Sequence, residues 1–256
     1  MTGFSPDSLQ AALARGAAAG ASGDVCVAFS GGLDSTVLLA ALAELKLRGW
    51  PGAVRALHID HQLQPDSGLW AARCADTARQ LGVPFASERV VVPTANRQGV
   101  EAAARAVRYA ALYGSLAAGE TLLTAHHADD QLETVLLALM RGAGVRGLSG
   151  MPRSAPAGAG WHQRPLLDYP RTDLERWARG RGLSWIEDPT NRESRYRRSY
   201  LRQAVLPALR STWPGAAIVA SRSAAHLAEA GALLDELARE DLPQASLEHC
   251  LRLDKL

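Results

Sequence analysis

Apolar positions along this chain fall into short continuous runs that alternate with longer runs of helical period. Residues 25–29, 53–59 and 121–125 are largely apolar stretches of strand length, and 85–92 is a further strand-length run interrupted by Ser87, Glu88 and Arg89. Residues 6–18, 35–47, 67–81, 100–118 and 130–141 carry helix-period patterns around them. Gly49, Pro51 and Gly52 close one helix, Gly82 and Pro84 the next, and Gly119 the long one. Apolar strands separated by helices predict a doubly wound α/β fold, with a mainly parallel sheet covered on both faces. Further on, 154–160 reads as a small-residue loop, and 172–181 and 200–209 read as helices. Trp213-Pro214-Gly215 punctuates the chain, and 218–241 reads as a helix beyond the domain. The division predicted is a catalytic domain over 1–212, with a helical subregion from about 152, and a helical linker or the start of a further domain over 213–256.

Composition narrows the class. Of 256 residues 47% are hydrophobic and 21% charged, which suits a folded globular chain and excludes a disordered one. Three cysteines without a CxxC indicate neither a disulfide framework nor a zinc ribbon. No apolar run is long enough for a membrane span and no signal-peptide core is present, so a cytoplasmic protein is expected. The net charge of +2 does not by itself imply a nucleic-acid partner. The charge is uneven, however: Arg192, Arg195, Arg197, Arg198 and Arg202 crowd one segment, interleaved with Tyr196 and Tyr200. Arginine forks and aromatic rings suit phosphates and unstacked bases, although such a run also fits a solvated helix face.

The most informative segment is Ser30-Gly31-Gly32-Leu33-Asp34-Ser35-Thr36, which follows a predicted strand and opens a predicted helix. Two glycines let backbone amides approach a phosphate, the helix N-terminus adds unpaired amides, and three hydroxyls add donors. The lysine of a Walker A loop is missing. Asp34 stands there instead, and a carboxylate beside a triphosphate requires a cation, which implies magnesium on Asp34. A tight turn with a capped helix is the plain alternative.

A second constellation follows the fourth strand: His126-His127-Ala128-Asp129-Asp130-Gln131-Leu132-Glu133. Asp130 and Glu133 share a helix face. If the first and fourth strands are neighbours, Asp34 and Asp130 flank one crevice at the carboxyl ends of the strands. Helix capping, a metal site of a phosphohydrolase and a carboxylate site for a substrate ammonium all remain open. Gly147-Leu148-Ser149-Gly150-Met151 lacks the last glycine of a nucleophile elbow.

The S-G-G-x-D-S pattern after a strand resembles the PP-loop ATP pyrophosphatases. Further stretches narrow the resemblance: His58-Ile59-Asp60-His61; Glu101, Arg105, Arg108 and Tyr109 on the long helix; Arg141 through Met151; Arg164-Pro165-Leu166-Leu167; and Trp185-Ile186-Glu187-Asp188-Pro189-Thr190-Asn191 with Arg198 and Arg202 downstream. In this order they resemble the tRNA(Ile)-lysidine synthetases, over roughly 25–209. The resemblance implies a five-stranded, mainly parallel sheet and ligation of free lysine to the wobble cytidine of an isoleucine tRNA. ATP and magnesium are the implied cofactors, and a homodimer is left open. It implies nucleotide binding by Ser30, Gly31, Gly32, Leu33, Asp34 and Ser35. Asp130 and Glu133 would take the α-ammonium of lysine, and Arg105 would stand beside substrate or α-phosphate. His126, His127, Arg108, Arg198 and Arg202 would face substrate or tRNA. Arg198-Ser199 departs from the family's Arg-Asn. Members usually carry C-terminal tRNA-gripping domains, so a chain stopping at Leu256 reads as a short or truncated form. Competing readings are another PP-loop enzyme, such as a tRNA thiolase or amide-forming synthetase, and a non-catalytic RNA-binding module.

Overall fold

The inner strands of the sheet are buried on both faces, whereas the edge strand over Phe85–Arg89 is largely exposed. The computed structural model describes residues 3–62, 67–93, 100–187, 197–247 and 250–251. Val25 and Val27 of β1 (Val25–Ala28) pack into one core, while Cys26 between them packs into another. That alternation places apolar layers on both sides, as the continuous apolar run requires. The other strands are β2 (Val54–Asp60), β3 (Phe85–Arg89), β4 (Thr121–Leu123), β5 (Ser154–Ala157) and β6 (Gly160–Gln163). The sheet order is β3-β2-β1-β4-β6-β5. All neighbouring pairs are parallel except β5 with β6.

The helices follow the predicted positions closely. They are α1 (Pro6–Arg15), α2 (Leu33–Leu47), α3 (Ser67–Gln80), α4 (Val100–Gly114), α5 (Ala128–Leu139), α6 (Val145–Leu148) and α7 (Arg171–Gly180). Beyond them come α8 (Arg197–Tyr200), a π-turn over Leu201–Val205, α9 (Leu206–Thr212) and α10 (Ala216–Ala245). Ser5 and Ser8 form a reciprocal capping box at the start of α1. Helix α2 is apolar almost all round because it is sandwiched between the sheet and helices α1 and α7. The first part of α10 packs Ala216, Ala217 and Ala220 against Leu132, Leu136, Leu206 and Leu209, and Ser221 Oγ donates to Leu167 O at 2.9 Å. No helix among the described residues is long and apolar enough to cross a membrane.

One element departs from the sequence reading. The segment 154–160, predicted to be a loop, forms β5 and the turn into β6, so a sixth, antiparallel strand joins the five parallel ones. Its run of alanine, proline and glycine shows no apolar alternation. Pro156 is tolerated because β5 is an edge strand. Gly158 at φ +55 makes the two-residue turn. A Cβ at Gly160 would collide with the Glu120 carbonyl, so small residues let this hairpin close on β4.

The sheet's amino-terminal end is tied by Arg55 and Glu120. Arg55 Nε and Nη2 donate to the two Glu120 oxygens at 2.6 and 2.7 Å, and the Ala117 N–H adds a third bond at 3.0 Å. Burial alone would raise the Glu120 carboxyl, but these donors outweigh it and hold it below its usual range. A depressed carboxylate contributes stability above its unfolded value that is lost as pH falls through its folded value. Glu120→Gln is therefore expected to cost about 1–3 kcal/mol at neutral pH. The gap should narrow in thermal melts as pH drops below about 4.5. A gap independent of pH would refute the charged pairing.

Candidate active site

Strand order reverses around β1 and β4, the position where open α/β sheets bind ligands. A cleft of roughly 500 Å³ opens there. Ser30, Gly32, Asp34 and Ser35 line one side, and His58, Ile59, Asp60 and His61 another. Arg108, Tyr109, Thr124, Ala125, His126 and Ile186 also reach it.

The loop from β1 to α2 is shaped by Gly31, at φ +78. A Cβ there would lie 2.7 Å from Cys74 Sγ and 2.8 Å from Ile186 Cδ1, so only glycine fits both the dihedral and the space. Ile186 N donates to Gly31 O at 2.9 Å and pins the loop from outside. Gly32 is the N-cap of α2 and offers no side-chain cap, so the first amides of α2 remain available to an anion. Ser30 Oγ and Ser35 Oγ lie 3.1 Å apart at its rim.

Asp34 is the group in this loop least satisfied by the protein. Its Oδ1 is buried with no hydrogen-bond partner, and Arg171 Nε stands off at 3.9 Å. Burial pushes the carboxyl above its usual range, against the pull of His127 and Arg171. Such an orphaned oxygen beside a phosphate-sized cradle suits a hard cation. Among the described residues no group of three or more His, Cys, Asp or Glu could hold a metal. A cation here would rely on Asp34 together with ligand oxygens and water, which is how magnesium is usually held.

His127 links this loop to α5. It is the N-cap of α5, and its Nδ1 accepts from Asp130 N at 3.4 Å, which leaves the ring proton on Nε2. Nε2 lies 3.7 Å from Asp34 Oδ2 and 3.4 Å from Asp130 Oδ2. Neighbouring β1 and β4 thus bring Asp34 and Asp130 to the same ring nitrogen of His127. The capping alternative is realised as well, since Asp130 Oδ2 accepts from His127 N at 3.1 Å. Asp129 serves elsewhere: Oδ2 accepts from Arg171 N at 2.7 Å and Oδ1 from Arg210 at 2.7 Å.

The two remaining acids meet the two arginines. Arg198 Nε donates to Glu133 Oε2 at 2.7 Å, Arg202 Nε to Glu133 Oε1 at 2.5 Å, and Arg202 Nη2 to Asp130 Oδ1 at 2.8 Å. Burial would raise Asp130, but the Arg202 guanidinium and the bond from the His127 backbone N–H oppose it, and the carboxyl is held below its usual range. Arg198 and Arg202, four residues apart, therefore both close on the acids of α5. Glu133 is 1% exposed with both oxygens engaged. In this arrangement a guanidinium stands where the resemblance puts a substrate ammonium.

Arg108 lines the cleft, and burial lowers its pKa. Arg105 instead stacks over the Tyr109 ring, 5.0 Å from its centroid. The sequence reading missed Arg171, Arg210, Thr124 and His162. The side chains of Glu101 and Arg197, and residues 188–196 with Arg192, Arg195 and Tyr196, lie outside the described residues.

With this geometry in hand, comparison with known proteins is informative. A family model described as a PP-loop domain matches residues 7–209. A tRNA(Ile)-lysidine synthase of Pseudomonas fluorescens (strain Pf0-1) is 51% identical over 222 residues, covering 86% of this chain and 50% of the relative. One from Coxiella burnetii is 49% identical over 217 residues, covering 85% and 48%. The chain spans about half the length of the curated relatives it matches. A solved U34-tRNA thiolase NcsA from Methanococcus maripaludis, with its 4Fe-4S cluster, superposes with a TM-score of 0.64. It covers 87% of this chain and 78% of that one at 15% identity, a likeness of fold alone.

Proposed function

Because the chain belongs to the PP-loop family, we propose that it uses ATP to join free lysine to the wobble cytidine of an isoleucine tRNA, forming lysidine. The observation that carries this reading is a phosphate cradle joined through His127, between Asp34 and Asp130, to a compact set of two acids and two arginines. The first suits a nucleotide. The second suits an amino acid, whose α-ammonium needs carboxylates and whose α-carboxylate needs a cation. Relatives about half identical over this segment bear the corresponding name.

Two steps are implied. The cytidine carbonyl oxygen attacks the α-phosphate of ATP and expels pyrophosphate. The ε-amine of lysine then attacks the activated ring carbon, loses a proton and expels AMP. The α2 amides and the Ser30 and Ser35 hydroxyls hold the phosphate chain. Magnesium on Asp34 would supply charge neutralisation at the phosphates. Arg108, which lines the same cleft, would approach the phosphate or the base. Asp130 and Glu133 take the α-ammonium, and Arg198 and Arg202 the α-carboxylate. Both arginines are partly exposed, so they can turn from their acid partners to admit lysine.

A thiolase reading draws no support from the two cysteines whose side chains are described. Cys26 and Cys74 are both buried, and burial pushes each thiol up to about 12, the opposite of a reactive thiolate.

The test is incubation with ATP, magnesium, labelled lysine and unmodified isoleucine tRNA. Label is expected in the RNA, with one AMP released per lysine joined. Pyrophosphate release without transfer of label would move the chain to another PP-loop activity. Absence of both would refute the reading.

A further inference from the structure

A hydrogen-bond chain behind the cleft determines which nitrogen of His126 carries a proton. Arg164 Nη2 lies 3.2 Å from His162 Nδ1. A guanidinium donates and never accepts, so His162 Nδ1 presents a bare lone pair. The Tyr113 hydroxyl, 3.0 Å from the same nitrogen, must donate to it as well. The single ring proton of His162 is left on Nε2, which donates to Thr124 Oγ1 at 2.8 Å. Thr124 has one hydroxyl hydrogen, and its other ring neighbour is His126 Nδ1 at 2.9 Å. Thr124 Oγ1 could accept from both rings, but Thr124 is buried and its hydroxyl hydrogen has no acceptor among the described residues other than His126 Nδ1. Thr124 therefore donates to Nδ1, and the one proton of a neutral His126 sits on Nε2. An Nδ1–H ring at His126 would leave the buried Thr124 hydroxyl hydrogen without an acceptor among the described residues.

The surroundings keep both rings neutral. Burial pushes His162 down to about 3, with Arg164 and Arg105 adding to it. Burial does the same to His126, where Asp130 opposes and Arg164, Arg105 and His162 reinforce. His126 lines the cleft beyond β4, beside the β1 loop with Ser30, Gly32, Asp34 and Ser35.

We propose that Arg164, His162 and Thr124 are positioning residues that hold His126 as a neutral Nε2–H donor to a phosphate oxygen of the bound nucleotide. The acceptor rests on the ATP reading above; the tautomer does not. A neutral donor fixed in advance stabilises charge on that oxygen without reorganising and without drawing a proton from the reaction. His126 therefore does not act as a general base.

The experiment uses the full chain labelled with ¹⁵N-histidine, with His126 assigned by loss of its signals in His126→Gln. The nitrogen shifts of wild type at pH 7 should report the Nε2–H tautomer for His126. Thr124→Val, nearly the same shape without the hydroxyl, should lose that preference. It should also bind α,β-methylene-ATP with magnesium about tenfold or more weakly. Thr124→Ser should restore both. An Nδ1–H ring or an imidazolium at His126 in wild type, or wild-type affinity in Thr124→Val, would overturn the proposal. If Thr124→Val does not fold, the wild-type spectrum and Thr124→Ser decide it. Failure of wild type to bind the analogue would overturn the ATP reading and the phosphate acceptor, while the spectrum would still judge the tautomer.

Discussion

Asp34→Asn is expected to give a folded protein whose pyrophosphate release, measured with ATP, magnesium and tRNA, falls at least about a hundredfold. The two effects separate because Asp34 contributes little to the fold. Its Oδ1 has no hydrogen-bond partner, and its ion pairs with His127 and Arg171 are long, at 3.7 and 3.9 Å. Burying a carboxylate on such terms costs free energy, which an isosteric amide does not incur. The melting temperature of the nucleotide-free variant should therefore match or exceed that of wild type. What the amide loses is the charge that offsets a cation beside the phosphates. Magnesium should sharpen ATP binding in wild type and leave it nearly unchanged in the variant. Wild-type turnover by a folded Asp34→Asn protein would refute the role. A cooperative loss of stability would show that Asp34 is structural.

Which parts of this site were legible in the sequence follows from how far apart the partners lie. The phosphate loop was legible because its chemistry is local: strand, two glycines, three hydroxyls and a helix start within seven residues. The neighbouring of β1 and β4 was only a condition at the level of sequence, and the fold, by meeting it, brings Asp34 and Asp130 to the same ring nitrogen of His127. The β5–β6 hairpin was not legible. Its residues are small because the Glu120 carbonyl comes close to Gly160, a constraint imposed from another element. Arg198 and Arg202, four residues apart, meet one carboxylate, but their partners Asp130 and Glu133 lie more than sixty residues earlier. Thr124 and His162, 38 residues apart, carry no signal at all until the strands are in register. Sequence spacing shows which face a side chain shares, and only the fold shows what that face meets.

The arginine pair supports the second large expectation, since it holds a carboxylate that water scarcely reaches. Removing both guanidinium groups in Arg198→Ala/Arg202→Ala leaves Glu133 charged, buried and without its two principal donors. Breaking a buried pair from one side costs about 3–5 kcal/mol. In a chain of this size that corresponds to a melting point lower by roughly 6–20 °C. The charge, rather than lost packing, is the cause to be isolated. Adding Glu133→Gln to the double variant removes the stranded charge and should recover more than half of the loss. A triple variant no more stable than the double would assign the effect to packing of the arginine stems instead. The same series separates fold from chemistry. The triple variant should bind ATP close to normally, because the phosphate loop is untouched. It should transfer labelled lysine at least about a hundredfold less efficiently, because one carboxylate and both cations of the amino-acid site are gone. The loss should be largest at low lysine concentration. If the refolded triple variant transferred lysine with a wild-type KM, the four-residue cluster would be a structural clamp, and the amino acid would have to bind elsewhere in the cleft.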